Sequence, residues 1–349
     1  MTHSFWKWIV IFIVLFVVMV GAAWWFFPEE PDFFVQNDSL MNSTSQIIFN
    51  TPKTEPIQPI PLYIDLDSAK VALGDQLFHE VRLSHDNTMS CAYCHDLNTR
   101  GGTDHLPRSI TSNGIVAKVN APTVFNVGFN FKQLWDGRAD TLEQQINGVV
   151  QSPKVMGSKW PEVVEKIRCY GEYEQNFKTL YPDGLTKANI IDAIANFERS
   201  LYTPNSRFDQ FLRGNTTMLS DIEKRGYGFF LEFGCIVCHQ GINIGGNMFQ
   251  KMGAKNDYFK SRGNESKADL GRYNITGDEF DRYRFKVPSL RNIALTAPYF
   301  HNGSATSLEE AVSTMARFQL ARTLSDDERR SIVAFLKTLT GEYKENPLF

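Results

Sequence analysis

Two short strings decide the fold, Cys91-Ala92-Tyr93-Cys94-His95 and Cys235-Ile236-Val237-Cys238-His239. Two cysteines three positions apart on a turn can each form a thioether with one vinyl group of a haem, and the histidine that follows then lies under the iron as its proximal ligand. A thioredoxin-like cysteine pair needs no such histidine, and a zinc site would group four ligands together. The two strings therefore predict two covalently bound haem c groups.

The sequence around these strings repeats one plan. Gly74 and Leu77-Phe78 precede the first string, and Gly226 and Phe229-Phe230 precede the second. Each half closes on a helix with one apolar face, which holds Ile190, Ile191, Ile194, Phe197 and Leu201 in the first half and Ile332, Val333, Phe335, Leu336 and Leu339 in the second. Ser325 and Glu328 form a capping-box signature before the second of these helices. We predict a mainly α protein with two cytochrome c-like haem domains, residues 62–215 and 216–349.

The N-terminus carries a membrane signal. Residues 8–27 are a run of 20 residues without a charge, which is long enough to cross a bilayer as a helix. Lys7 precedes the run and acidic residues follow it, so residues 1–27 are predicted to be an anchor with a cytoplasmic N-terminus. The alternative is a signal peptide cleaved near Gly21-Ala22-Ala23. Residues 28–61 are rich in proline and predict a linker, or an arm packed on the domain surface.

Composition excludes one class of partner. The chain has 349 residues with 36 basic and 39 acidic side chains, and a formal charge of −3 gives no reason to expect nucleic-acid binding.

The fifth cysteine, Cys169, belongs to neither string and is predicted to be a buried thiol. Among the methionines, Met315 follows the Pro298–Gly303 loop shortly before the last helix. A small cytochrome domain brings its methionine ligand back over the haem from such a place.

Longer stretches carry a resemblance to a known family. Residues 285–303, from Phe285-Lys-Val-Pro-Ser-Leu-Arg-Asn to Tyr-Phe-His-Asn-Gly303, closely resemble the signature of bacterial di-haem cytochrome c peroxidases. So do Asn120-Ala-Pro-Thr-Val-Phe-Asn126 and Leu134-Trp-Asp-Gly-Arg-Ala139. The likeness runs from about residue 62 to residue 341. It places the chain at the periplasmic face of the inner membrane, or soluble in the periplasm if the N-terminus is cleaved.

The resemblance implies roles for particular residues. Met315 would be the sixth ligand of the His239 haem, Trp135 the electron-transfer bridge between the haems, and Gln145 the distal glutamine of the peroxidatic haem bound by His95. A calcium ion would be held at the domain interface by the Asn120 side chain and by the carbonyls of Thr296 and Pro298, an all-oxygen set that suits Ca²⁺. The family resemblance also implies a homodimer.

Two departures from the family pattern affect the peroxidatic haem. Ser112 stands where family members often carry a displaceable histidine, and nearby His105 is out of register. Val155 stands where the family has a glutamate that moves protons, which typically contributes roughly 10²–10⁴-fold to rate. Glu143 and Lys154 are candidates to replace it. With no histidine cap, the His95 iron is expected to be open even when oxidised.

Three functions fit these residues. The first is a peroxidase that reduces hydrogen peroxide to water with electrons from a small cytochrome c, a cupredoxin or quinol, entering at the C-terminal haem. The second is a MauG-type di-haem enzyme that oxidises side chains of a partner protein. Those enzymes carry a tyrosine where this chain has Met315, which favours the peroxidase. The third is a di-haem electron carrier or sensor without turnover.

Overall fold

The computed structural model describes residues 55–348 of the chain. The predicted anchor, and the predicted linker as far as residue 54, lie outside the described residues. Within residues 55–348, no helix is both long enough and apolar enough to cross a membrane.

Helices form most of the regular structure in these residues, as predicted. They are α1 (Ser68–Phe78), α2 (Leu142–Gln151), α3 (Trp160–Arg168), α4 (Gly171–Leu180), α5 (Lys187–Ser200), α6 (Arg207–Leu212), α7 (Asp221–Glu232), α8 (Tyr258–Arg262), α9 (Tyr273–Thr276), α10 (Leu308–Gln319) and α11 (Asp326–Lys337). The strands are short: β1 (Phe249–Lys251) pairs antiparallel with β2 (Arg284–Lys286), and β3 (Glu342–Tyr343) with β4 (Asn346–Pro347). Each Cys-x-x-Cys-His motif begins on a single 3₁₀ turn, Cys91–Tyr93 or Cys235–Val237.

The first half is organised by the packing of α1 on α5. Every residue of the apolar face predicted for α5 is buried. The two helices approach closely at Gly74, where an added Cβ would lie 2.0 Å from the Ala193 carbonyl oxygen and 2.7 Å from Phe197 Cβ. The apolar stripe and the glycine in the sequence therefore describe one contact between two helices.

The second half repeats this contact with α7 and α11. The predicted apolar face of α11 is buried, and an added Cβ on Gly226 of α7 would lie 1.9 Å from the Ser331 carbonyl oxygen. The predicted capping box is present at the start of α11. The Ser325 amide donates to Glu328 Oε2 at 2.7 Å, and the Glu328 amide donates to Ser325 Oγ at 3.3 Å.

The last part of the predicted linker packs as an arm on the second half, which was the alternative interpretation of these residues. Ile57 and Ile60 are buried. The Gly241 amide donates to the Pro56 carbonyl at 2.8 Å, just beyond the second haem motif. Residues 55–60, which we call the arm, are therefore part of the folded body.

A buried ion pair holds the arm in place. Arg291 and Asp209 are both fully buried and lie 2.7 Å apart. Arg291 also donates to the Gln58 carbonyl at 2.9 Å, and Asp209 accepts from the Ile60 amide at 3.2 Å. Both charged groups therefore contact the arm as well as each other.

Candidate functional site

The first motif presents a neutral imidazole. The Cys94 and His95 amides donate to the Cys91 carbonyl at 3.2 and 3.1 Å, so the turn sets both cysteines beside the histidine. His95 Nδ1 lies 3.0 Å from the Gly102 carbonyl oxygen. Because a carbonyl can only accept, Nδ1 carries the proton and Nε2 keeps a lone pair for a metal. Burial lowers the pKa of His95, which also favours the neutral ring.

The second motif has the same arrangement. The His239 amide donates to the Cys235 carbonyl at 3.0 Å, and His239 Nδ1 lies 3.2 Å from the Ile244 carbonyl oxygen. Burial lowers the pKa of His239 to about 4. Ile244 is itself buried and has a φ of +46°, a conformation that tight packing must hold in place.

One large cavity joins the two motifs. It contains about 3030 Å³ of space, part of it open to solvent, and its lining is mainly apolar. The predicted site residues that line it are Cys91, Cys94, His95, Asn120, Trp135, Gln145, Cys235, Cys238, His239, Thr296, Pro298 and Met315. Each motif offers two free thiols, which can form thioethers with a haem, and one unprotonated Nε2, which can bind its iron. A flat apolar macrocycle therefore fits each end of the cavity. The residues present therefore fit two haem c groups.

Two methionines of the second half line this cavity. Met315 lies on α10 and packs in an apolar cluster with Met252, Phe285 and Phe318. Met252 also lines the cavity. The structure thus brings Met315 to the predicted cavity and leaves Met252 as its competitor for the sixth position.

The loop residues near the first motif do not reach the cavity. Ser112 is exposed, and its hydroxyl lies 2.5 Å from Thr88 Oγ1 and 3.2 Å from Asp86 Oδ2. His105 Nε2 lies 2.8 Å from the Leu295 carbonyl oxygen at the surface. Neither side chain lines the cavity.

The polar groups at the first haem end differ in what they contact. Gln145 and Lys154 line the cavity beside Val155, and Gln145 Oε1 is buried without a hydrogen-bond partner in the described residues. Glu143 is instead paired with Arg199 and does not line the cavity. Of the two proposed substitutes for the missing glutamate, only Lys154 is positioned in the cavity wall.

Trp135 is hydrogen-bonded through both its side chain and its backbone. Its indole Nε1 donates to the Asn120 carbonyl at 3.0 Å, and its own carbonyl accepts from the Lys286 amide at 2.8 Å. The buried His301 ring lies edge-on to it at 6.4 Å, and His301 Nε2 lies 2.7 Å from Asp269 Oδ1. The indole is therefore held beside the cavity by one hydrogen bond to the protein and by the edge-on His301 ring.

The predicted calcium ligands also lie at this cavity. The Asn120 amide nitrogen donates to the Leu106 carbonyl at 2.8 Å, which directs the amide group and leaves Oδ1 as an acceptor. Among residues 55–348, no hydrogen bond reaches Asn120 Oδ1 or the carbonyls of Thr296 and Pro298. Amide and carbonyl oxygens of this kind are the donors that a hard cation binds.

Sequence reasoning missed two buried ionisable residues in the cavity wall. Glu198 is almost fully buried on α5, its Oε2 has no partner in the described residues, and burial raises its pKa to about 8. Lys286 is buried on β2, and burial lowers its pKa to about 8. The signal for Glu198 was a carboxylate beside Phe197 on an otherwise apolar helix face.

The prediction that Cys169 is a buried thiol is wrong. It is exposed and not buried, because it caps the C-terminus of α3, where the chain turns away from the core.

The paired motifs, the joint apolar cavity and the neutral proximal imidazoles define a di-haem c-type protein. The family profile described as di-haem cytochrome c peroxidase matches residues 68–217. The chain is 45% identical over 290 residues to the cytochrome c551 peroxidase of Nitrosomonas europaea, which covers 82% of this chain and 85% of that protein. It belongs to the di-haem cytochrome c peroxidase family and is an oxidoreductase.

Further relatives place the chain within the family. It is 43% identical over 320 residues to the cytochrome c peroxidase Ccp of Escherichia coli (strain K12), which covers 91% of this chain and 66% of that protein. A crystal structure of a MauG-like protein associated with microbial copper homeostasis superposes with a TM-score of 0.72 at 30% identity, covering 84% of this chain and 95% of that one. The chain thus spans about two thirds of the length of the Escherichia coli relative.

Proposed function

We propose that this protein reduces hydrogen peroxide to water at the His95 end of the cavity, with electrons that enter at the His239 end. The observation that carries the proposal is that both motifs and the fixed indole of Trp135 line one cavity. When bound, the haems supply irons that take up and release single electrons. One peroxide then needs two electrons and two protons to give two waters.

The residues at the His95 end orient the substrate and must supply the protons. The amide of Gln145 can donate to one peroxide oxygen and accept from the other, but it has no proton to exchange. Val155 supplies none. Lys154 and Glu198 are the ionisable side chains in the cavity wall at this end, and we assign proton delivery to one of them.

The electron path is proposed to run through Trp135. The hydrogen bond from its Nε1 to the Asn120 carbonyl holds the ring in one orientation, which suits a bridge between redox groups. Met315 is proposed as the sixth ligand at the His239 end, since a thioether there favours the ferrous state of an electron-accepting haem. A small cytochrome c, a cupredoxin or quinol would be the donor.

The test is oxidation of a reduced donor by peroxide, with reduced cytochrome c, cupredoxin and quinol assayed in turn. We expect peroxide-dependent oxidation of at least one donor. The Trp135→Phe variant should be slower, and Trp160→Phe, which changes an indole outside the cavity, serves as its control. If none of the donors is oxidised, the chain is an electron carrier or sensor and the proposal is wrong.

The first iron is proposed to be open before reduction. Ser112 and His105 are both engaged elsewhere, and neither lines the cavity. Cyanide should therefore bind to the fully oxidised protein without prior reduction, followed by the change in its absorption spectrum. A low-spin, cyanide-resistant oxidised state would show that another side chain caps the iron.

We also propose one Ca²⁺ held by Asn120, Thr296 and Pro298. The support is three oxygens without hydrogen bonds at one cavity. Chelation should change the spectrum or activity of the protein, and added Ca²⁺ should restore it in the native chain but not in Asn120→Ala. Restoration by Mg²⁺ alone would contradict the assignment.

Residues 8–27 are proposed to anchor the protein at the periplasmic face of the inner membrane. Burial of apolar surface is not screened by salt, so the protein should stay in the membrane fraction after a high-salt wash. A soluble mature chain that begins near Trp24 would instead establish cleavage. The homodimer implied by the family resemblance stays a prediction.

A further inference from the structure

Lys286 is a buried cation without a counter-ion in the described residues. Only 7% of the residue is exposed, and its side chain forms no ion pair or hydrogen bond within residues 55–348. The other buried cation of the described chain, Arg291, differs in this respect because Asp209 lies 2.7 Å away. Removing an ammonium group from water without a partner costs several kcal/mol. The fold therefore places Lys286 where an anion from outside the described protein would stabilise it.

The position of Lys286 indicates where that anion lies. Lys286 lines the cavity that joins the two haem motifs. Its backbone is fixed on both sides, because β2 pairs it with Phe249 and its amide donates to the Trp135 carbonyl at 2.8 Å. The nearby cation Arg138, which also lines the cavity, already has a partner in Asp136 at 2.6 Å. Lys154 also lines the cavity but is exposed to solvent, so Lys286 is the buried lysine of the described cavity wall that is left for the cofactor.

The anionic groups of a haem c are its two propionate carboxylates, since the vinyl groups are consumed by the cysteines. We propose that Lys286 is the counter-ion of a haem propionate, placed directly beside Trp135. This rests on occupation of the cavity by the haems and not on peroxide turnover. Desolvation strengthens such a pair, because the same burial that penalises the lone ammonium increases its attraction to a carboxylate.

The charge of Lys286 has a consequence for electron transfer. A fixed positive charge near an iron favours the state with one more electron, so it raises the reduction potential of that haem. The backbone amide of Lys286 is hydrogen-bonded to the Trp135 carbonyl. The haem whose potential changes is therefore the one whose propionate lies beside Trp135, the proposed electron-transfer bridge. Lys286 would thereby set part of the difference in reduction potential between the two haems on either side of Trp135.

The test is a redox titration of the haem-loaded protein, followed by the absorption bands of both haems. Lys286→Met keeps most of the apolar stem and removes the charge, and it should shift the potential of one haem downward. Lys286→Arg should restore most of that shift. Lys251→Met is the matched control, since Lys251 is an exposed lysine on the neighbouring strand β1, and it should leave both potentials unchanged.

Two outcomes would overturn the assignment. One is that Lys286→Met and Lys251→Met give the same potentials. For the case in which Lys286→Met does not take up haem, resonance Raman spectra of Lys286→Arg provide the second measurement. The propionate bending band should shift in Lys286→Arg and not in Lys251→Arg, and an unshifted band contradicts the pair. Because no peroxide is present, these results stand apart from any failure of the peroxidase assay.

Discussion

Replacing Gly226 by alanine tests whether contact between α7 and α11 holds the second half together. The new Cβ would lie 1.9 Å from the Ser331 carbonyl oxygen, 2.5 Å from its carbonyl carbon and 2.9 Å from Phe335 Cβ. An ordinary contact to the carbonyl oxygen needs more than 3 Å, so the two helices must separate by over an ångström. That movement loosens the packing of Phe230 and Leu336, which are buried at this junction. Overpacking of this kind costs about 1–3 kcal/mol, a loss of several degrees in Tm.

The same helix offers a matched control. Gly228 lies two residues further along α7, is exposed, and would meet nothing within 4 Å if it gained a Cβ. Alanine in an open helical position is favoured over glycine by about 0.5–1 kcal/mol, so Gly228→Ala should raise the Tm. Thermal unfolding of both haem-loaded variants, followed by circular dichroism, should therefore give shifts of opposite sign. If Gly226→Ala is as stable as Gly228→Ala, the helix contact is not as close as described and the reasoning fails.

The remaining predictions concern the cavity. Burial raises the pKa of Glu198 above its ordinary value of 4.5 to about 8, so its contribution to stability is full below about pH 4.5 and is lost as the pH rises through 8. Glu198→Gln should therefore gain stability relative to the native chain at pH 9 but not at pH 4, and urea unfolding that gives the same difference at both values would contradict this. Met315→His should lower the potential of the His239 haem in a redox titration, and an unchanged potential would point to Met252. Val155→Glu should speed the reaction of the oxidised protein with peroxide in stopped flow, by up to roughly 10²–10⁴-fold, and no acceleration would mean that the new carboxyl does not reach the substrate.

Local patterns predicted the helices that frame the site. The apolar faces of α5 and α11 and the capping box at Ser325 are where the sequence predicts them. Each of these features depends on the spacing of residues within a few turns of one helix. The two haem motifs are equally local, because the residues predicted to attach and to ligate each haem lie within five consecutive positions.

Contacts between distant residues were not predictable in this way. Nothing in the sequence around Gln58 indicates that its carbonyl meets Arg291, and the burial of Lys286 depends on strands and loops from both halves. Glu198 lies on a helix whose pattern of apolar residues predicts a buried face, and that pattern gives no sign of a buried carboxyl. Such features arise from tertiary packing, which a periodic pattern within one segment does not encode.

The arm also bears on the order in which the protein matures. Residues 55–60 leave the ribosome before either haem motif, yet their binding surface is built from Asp209, Gly241 and Arg291. The complete docking surface of the arm therefore needs the chain as far as residue 291, whereas the first motif is complete at residue 95. A chain truncated before Arg291 should carry its first haem with the arm still accessible to a protease.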